Sequence, residues 1–152
     1  MALDETDKRI LRALQRDGRI SNADLAERVH LSASACHRRV QRLETDGMIR
    51  GYVALLDARR LGVPAMVFVE ITLQTQADEV LEAFEQAVRR VPDVLECHLM
   101  AGTADYILKV VAEDTEDFAR IHRQYLTRLP GVAQMKSSFA LRTVSATTAL
   151  PV

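Results

Sequence analysis

Ser34, His37, Arg38, Gln41 and Arg42 recur at three- and four-residue spacing just beyond Ser32. On a helix that spacing gathers them along one side. An arginine fork fits guanine O6 and N7 or a phosphate, and a glutamine amide fits adenine. Ser32 and Ser34, with the free amides of a helix start, suit phosphate oxygens. This set makes or breaks no bond; it matches base edges and phosphates. The bland alternative is a solvated basic face, which Arg38, Arg39 and Arg42 also describe. The preceding residues favour the groove. Ser21 caps one short apolar-striped helix, Ser32 caps the next, and only a tight turn separates them, as in a helix-turn-helix. Arg39 sits at the edge of the buried side, where an ion pair with Asp24 or Glu27 competes with a DNA contact.

A second candidate is the run Met100-Ala101-Gly102-Thr103-Ala104-Asp105-Tyr106. A glycine turn between two strands lets backbone approach a small ligand. The Asp105 carboxylate would meet an ammonium group and the turn amides a carboxylate, which suits a free amino acid. The alternative is a plain hairpin in which Asp105 caps the turn. Cys36-His37 and Cys97-His98 lack the spacing that aims two ligands at one metal ion, so no metal site is expected and each thiol is expected to fill a core gap.

The elements that must position these residues follow from periodicity. The first helix starts at the cap Asp4, carries Ile10, Leu11 and Leu14 inward and stops near Gly18. The second buries Leu25, Ala26 and Val29. The third buries Cys36, Val40 and Leu43 and ends at Gly47. Ile49, Tyr52 and Val53 predict a short extended segment between Gly47 and Asp57. Gly62 and Pro64 punctuate a linker, giving a helix-turn-helix domain over 1–57, a linker over 58–65 and a second domain over 66–152.

In the second domain, strands are predicted at Met66 to Leu73, Val94 to Met100, Tyr106 to Ala112 and Val132 to Val144. Helices are predicted at Asp78 to Val91 and, capped by Thr115, at Thr115 to Leu129. Arg89-Arg90-Val91-Pro92-Asp93-Val94 is echoed by Thr127-Arg128-Leu129-Pro130-Gly131-Val132, where a helix ends, proline blocks it and a strand begins. Two such units make a ferredoxin-like β-α-β-β-α-β sandwich, and the whole chain is α+β. Helices cover one face of such a sheet, so a second copy is expected on the other.

Charge agrees. Residues 1–60 hold 12 Lys and Arg against 9 Asp and Glu, whereas 61–152 hold 8 against 12. A basic front and an acidic back fit one DNA-contacting and one non-contacting domain. No apolar run reaches membrane-spanning length and no signal peptide is seen, so a cytoplasmic protein without a membrane partner is expected.

The blocks ILRALQRDGRISNADLAERVHLS, GMIRGY, VFVEITL, ECHLMAGTADYILKV and LPGV, in this order and spacing, resemble the leucine-responsive regulatory protein/AsnC family of transcriptional regulators. No convincing active constellation is present, so no enzyme activity and no cofactor are expected. The resemblance implies double-stranded DNA as a partner and homodimers that assemble into tetramers or octamers. It also implies an amino-acid effector, with leucine or another apolar or branched residue as the guess. The family's G-x-x-D-Y turn places Gly102, Thr103, Ala104, Asp105 and Tyr106 in the effector pocket. The resemblance places this pocket at the interface between dimers, where Leu99 and Met100 would form its apolar wall and the facing Met135, Ser137 and Ser138 would complete it. Ser32-Ala33-Ser34-Ala35 stands where many relatives carry prolines, and Ala104 where bulkier residues are common. A reading from another class is a ferredoxin-like enzyme or metabolite-binding domain with a helical appendage. Against it, no nucleophile lies in a motif and His98 and His122 have no evident partners.

Overall fold

The computed structural model describes residues 3–152. The chain forms two compact units, Met1–Leu55 with Ser145–Val152, and Leu56–Val144. Ser145–Val152 thus leaves the domain over 66–152 to which the sequence reading assigned it. The Gln15 side chain accounts for this: its amide donates to the Leu150 carbonyl (3.0 Å) and accepts from the Leu150 amide (2.6 Å).

The first unit holds helices α1 (Glu5–Arg16), α2 (Asn22–Val29) and α3 (Ala33–Thr45). Asp4, Ser21 and Ser32 cap them, as expected. At α1 the cap is reciprocal: Asp7 N–H donates to the Asp4 carboxylate and Asp4 N–H to that of Asp7. Ile10, Leu11, Leu25, Ala26, Val29, Cys36 and Leu43 pack between the helices. His30 takes the left-handed conformation (φ 59°), so α2 stops within one residue and the chain turns sharply into α3. Asn22 Nδ2 fastens the two helix starts by donating to the Ala33 carbonyl at 2.9 Å.

The extended segment expected after Gly47 pairs with nothing. Among the described residues no strand lies between α3 and Ala65. Val53, Leu55 and Leu56 of this stretch are exposed.

The second unit runs β1 (Ala65–Leu73), α4 (Asp78–Val88), β2 (Val94–Leu99), β3 (Tyr106–Ala112), α5 (Thr115–Gln124) and β4 (Val132–Phe139). Its antiparallel sheet has the order β2-β3-β1-β4, the ferredoxin-like topology expected. Val67, Val69 and Ile71 of β1 and Tyr106, Leu108 and Val110 of β3 point to one face. There they meet Phe84, Val88, Phe118, Ile121 and Leu126.

Several ends differ from the reading. Helix α4 stops at Val88, not Val91, because Pro92 disfavours helical backbone before it. Asp114, not Thr115, caps α5, accepting from the Asp117 amide at 2.8 Å. That helix ends at Gln124, and a 3-10 turn, Leu126–Arg128, carries the chain to Pro130. Strand β2 ends at Leu99, one residue early. Strand β4 ends at Phe139 rather than Val144, because its partner β1 begins at Ala65 behind Pro64, which has no N–H to offer.

Candidate DNA-reading helix and effector turn

The cap at Ser32 fixes where α3 starts, and burial of Cys36 and Leu43 fixes its rotation. Ser34, His37, Arg38 and Gln41 are thereby left exposed on its outer side. The Ser32 hydroxyl accepts from the Ala35 amide (3.3 Å) and lies 3.3 Å from the Ser34 hydroxyl, so it is already committed to the cap.

Arg42 behaves differently from the free groove-facing side chain expected. Its Nη2 donates to both oxygens of Asp7 at 2.7 Å, because α1 passes beneath this end of α3. Arg39 does anchor the fold, but through neither Asp24 nor Glu27. Its Nη1 donates to Asp4 (2.7 Å) and Asp7 (2.8 Å). Asp24 instead accepts from the Ser21 hydroxyl at 2.7 Å. The two aspartates hold the Arg39 guanidinium charged above its already high range. The Asp7 amide first, then Arg39, keeps the Asp4 carboxyl below its ordinary value. On the other flank of α3, Tyr52 donates to Glu44 at 2.9 Å; burial first, then that bond, pushes the phenol up to about 12.

The Cys-His pairs diverge. Cys36 is buried while His37 is exposed, and Cys97 packs on the core while His98 is exposed.

At the β2–β3 turn, Asp105 is buried and both its oxygens are occupied. Oδ2 accepts from the Leu73 amide and Oδ1 from Gln76 Nε2, each at 2.7 Å. Its own amide donates to the Ile71 carbonyl, and its carbonyl accepts from Met100 N–H, both at 2.8 Å. Asp105 is thus the keystone of the turn, closer to the capping alternative than to a free ammonium acceptor. Tyr106 belongs to the core, 1% exposed, with its ring 4.5 Å from that of Phe84 and its hydroxyl donating to Glu85 at 2.8 Å. Burial first, then Glu85, pushes that phenol far up. Leu99, Met100, Gly102 and Thr103 are exposed, and Ala104 is half-buried.

Within one chain the last-strand residues do not meet this turn. Strand β1 intervenes, pairing Ser137 with Val69 and Ser138 with Phe68. Those pairs also put the two serines on opposite faces, since successive strand residues alternate. Met135 pairs with Ile71 and joins the core.

An open cleft of about 310 Å³ lies beside the turn, lined by Glu85, Arg89, Cys97, Leu99 and Tyr106 among others. Glu85 and Arg89 pair across 3.3 Å there. Burial first, then Glu85, pushes the Cys97 thiol up to about 11. Sequence reasoning missed Asp7, Gln76 and Glu85. Only the Asp4-x-x-Asp7 spacing, a capping-box pattern, could have flagged the first of them.

Residues 3–50 match the winged helix-turn-helix DNA-binding family, and residues 66–150 match the Lrp/AsnC ligand binding domain. The leucine-responsive regulatory protein of Escherichia coli (strain K12) is 44% identical over 142 residues, covering 93% of this chain and 87% of that one. The chain belongs to the Lrp/AsnC family. The same identity and coverage hold for the leucine-responsive regulatory protein of Klebsiella pneumoniae. Among solved structures, a Neisseria meningitidis transcriptional regulator in complex with L-Met superposes with a TM-score of 0.94 at 37% identity, over 99% of this chain and 97% of that one. An AsnC family transcriptional regulator from Agrobacterium tumefaciens gives 0.94 at 37% identity, over 98% and 97%. This Lrp/AsnC protein is therefore a DNA-binding transcriptional regulator with a ligand-binding domain. No helix among its described residues is long and apolar enough to cross a membrane.

Proposed function

We propose that this regulator reads operator DNA with α3, through Ser34, His37, Arg38 and Gln41, and that an amino acid bound at its C-terminal unit alters its assembly or DNA occupancy. The observation that carries the reading is the outward row Ser34, His37, Arg38 and Gln41 on a helix whose other side is buried. An exposed arginine on such a helix reaches guanine or phosphate. Arg38→Ala weakens operator binding by roughly tenfold or more without unfolding the domain. A gel shift with unchanged affinity would remove α3 as the reader.

An amino-acid effector is supported by the ligand-binding family match and by the relative solved with L-Met. Gly102 adds a local argument. A Cβ there would meet nothing within 4 Å, and its φ is not positive, so neither local packing nor backbone conformation calls for glycine. Close approach by a group from outside the turn is a reason that remains. The exposed Leu99 and Met100 supply apolar contact beside it. The adjoining cleft at Glu85 and Arg89 carries both charges an amino acid needs, and Leu99 borders it.

The sheet face away from α4 and α5 presents Phe68, 37% exposed, between Lys109 and Ser138. That exposed Phe68 supports a homodimer in which a second copy covers the face, and further assembly to a tetramer or octamer would bring other chains' last strands within reach of the turn. A dimer places two reading helices on half-sites about 10 base pairs, or multiples of that, apart. Thermal shift against the standard amino acids, paired with light scattering, tests effector and assembly together. A ligand that binds the folded form raises the melting point. No shift with any of them sinks the amino-acid reading.

A further inference from the structure

Asp7 is the most deeply buried charged side chain of the first unit, 2% exposed, yet its partners are half in water. Arg39 is 29% and Arg42 43% exposed, and both come from the helix assigned to DNA. Each spends one guanidinium nitrogen on Asp7, Nη1 of Arg39 and Nη2 of Arg42. Arg38, Arg39 and Arg42, with Leu31 and Ala35, line a single depression of about 390 Å³ on the flank of α3 that joins its exposed row at Arg38. A buried carboxylate is a poor way merely to join two helices. Apolar residues of similar size do as well or better, and Ile10 and Leu43 already pack there. Besides accepting the Asp4 N–H in the α1 cap, a carboxylate provides direction, which an apolar residue cannot. It selects one rotamer for each of two long, flexible cations before any ligand arrives.

We propose that Asp7 is a positioning residue for DNA recognition, holding Arg39 and Arg42 so that, with Arg38, they form a preset seat for a backbone phosphate of duplex DNA. Arg42 keeps Nε and Nη1 for that phosphate, since its bonds to Asp7 use Nη2 alone. Asp7 also acts as an internal counter-ion. Arg39 and Arg42 pair with Asp4 and Asp7, so together with Arg38 the cluster carries one net positive charge rather than three. A weaker field lowers attraction to any duplex, whatever its sequence, and fixed geometry favours the one register in which base contacts also form. Asp7 thereby raises the ratio of specific to non-specific binding.

The proposal rests on α3 being the reading helix, and the experiment separates the two. The full chain selects duplexes from a randomised library. Anisotropy then measures its affinity for the selected duplex and for poly(dI-dC) across a KCl series. Asp7→Asn is expected to bind poly(dI-dC) several-fold more tightly at low salt and to steepen the salt slope by about one. Its preference for the selected duplex should fall about tenfold. A purely structural aspartate would lower both affinities in proportion and leave the slope alone; that result, or wild-type behaviour, overturns the proposal. Should Asp7→Asn fail to fold by circular dichroism, Arg42→Lys decides. It keeps the charge but loses the planar fork, so the preference should fall with the slope unchanged, and an unaltered preference overturns the proposal. If Arg38→Ala and Arg42→Ala leave both affinities intact, α3 is not the reader and the broader reading fails. If they weaken binding while Asp7→Asn is inert, only the role of Asp7 falls.

Discussion

Replacing Asp105 by alanine tests whether the β2–β3 turn is held by that carboxylate. Two donors lose their acceptor, the Leu73 amide and Gln76 Nε2, both at 2.7 Å. Gln76 is exposed and regains water, whereas Leu73 is 6% exposed and its amide stays dry. A hydrogen bond to a charged group contributes about 1.5–3 kcal/mol, and a stranded buried donor costs about 1–3 kcal/mol. The stability loss should be roughly 2–3 kcal/mol, most of it from Leu73. For a unit of this size, that lowers the melting point by roughly 10–20 °C. Hydrogen exchange gives the local readout: protection of the Leu73 amide should fall roughly 30- to 150-fold, at tenfold per 1.4 kcal/mol. Asp105→Asn is the control. Its Oδ1 still accepts from Leu73, and a turned Gln76 amide accepts from its new N–H, so the cost should be only about 1 kcal/mol. Unchanged Leu73 protection in Asp105→Ala, with stability within about 0.5 kcal/mol of wild type, would refute the keystone role.

Gly131→Ala should destabilise the C-terminal unit by roughly 1–3 kcal/mol, because its φ is +73° and a Cβ would come within 2.5 Å of Val80 Cγ1; urea titration followed by circular dichroism checks this. Phe84→Ala removes a fully buried ring, tilted and packed with its centroid 4.5 Å from that of Tyr106, and should cost about 3–5 kcal/mol in the same titration. Acid should weaken the fold with a definite sign. The Asp7 amide and Arg39 depress the Asp4 carboxyl, and Lys109 then His98 depress that of Glu96. Depressed folded values mean stability that is complete above the ordinary values of 3.8 and 4.5 and erodes as pH falls through and below them. A urea midpoint that rose on acidification would contradict it.

Local rules made much of this protein legible. Asp4, Ser21 and Ser32 were readable as caps because a cap involves residues only two or three apart. The outward set Ser34, His37, Arg38 and Gln41 followed from helical period and the apolar Cys36 and Leu43. Segment periodicity, supported by the proline-ended echo at Pro92 and Pro130, carried the order of strands and helices, and with it the ferredoxin-like topology. Even the split of Ser137 from Ser138 was present in the period of two, although the pocket reading placed them together.

What the tertiary structure decided is everything set by pairing between distant segments. Arg42 looked free because its partner, Asp7, lies 35 residues away on a different helix. Asp105 looked available because Leu73 sits across the sheet, 32 residues earlier. Tyr106 became core only once α4 laid Phe84 and Glu85 against β3. Strand β4 stopped where its neighbour stopped, and Ser145–Val152 joined the first unit through Gln15. A side chain's chemical type is carried by its own position, but whether its charge or hydroxyl remains unspent depends on which remote partner the fold delivers to it.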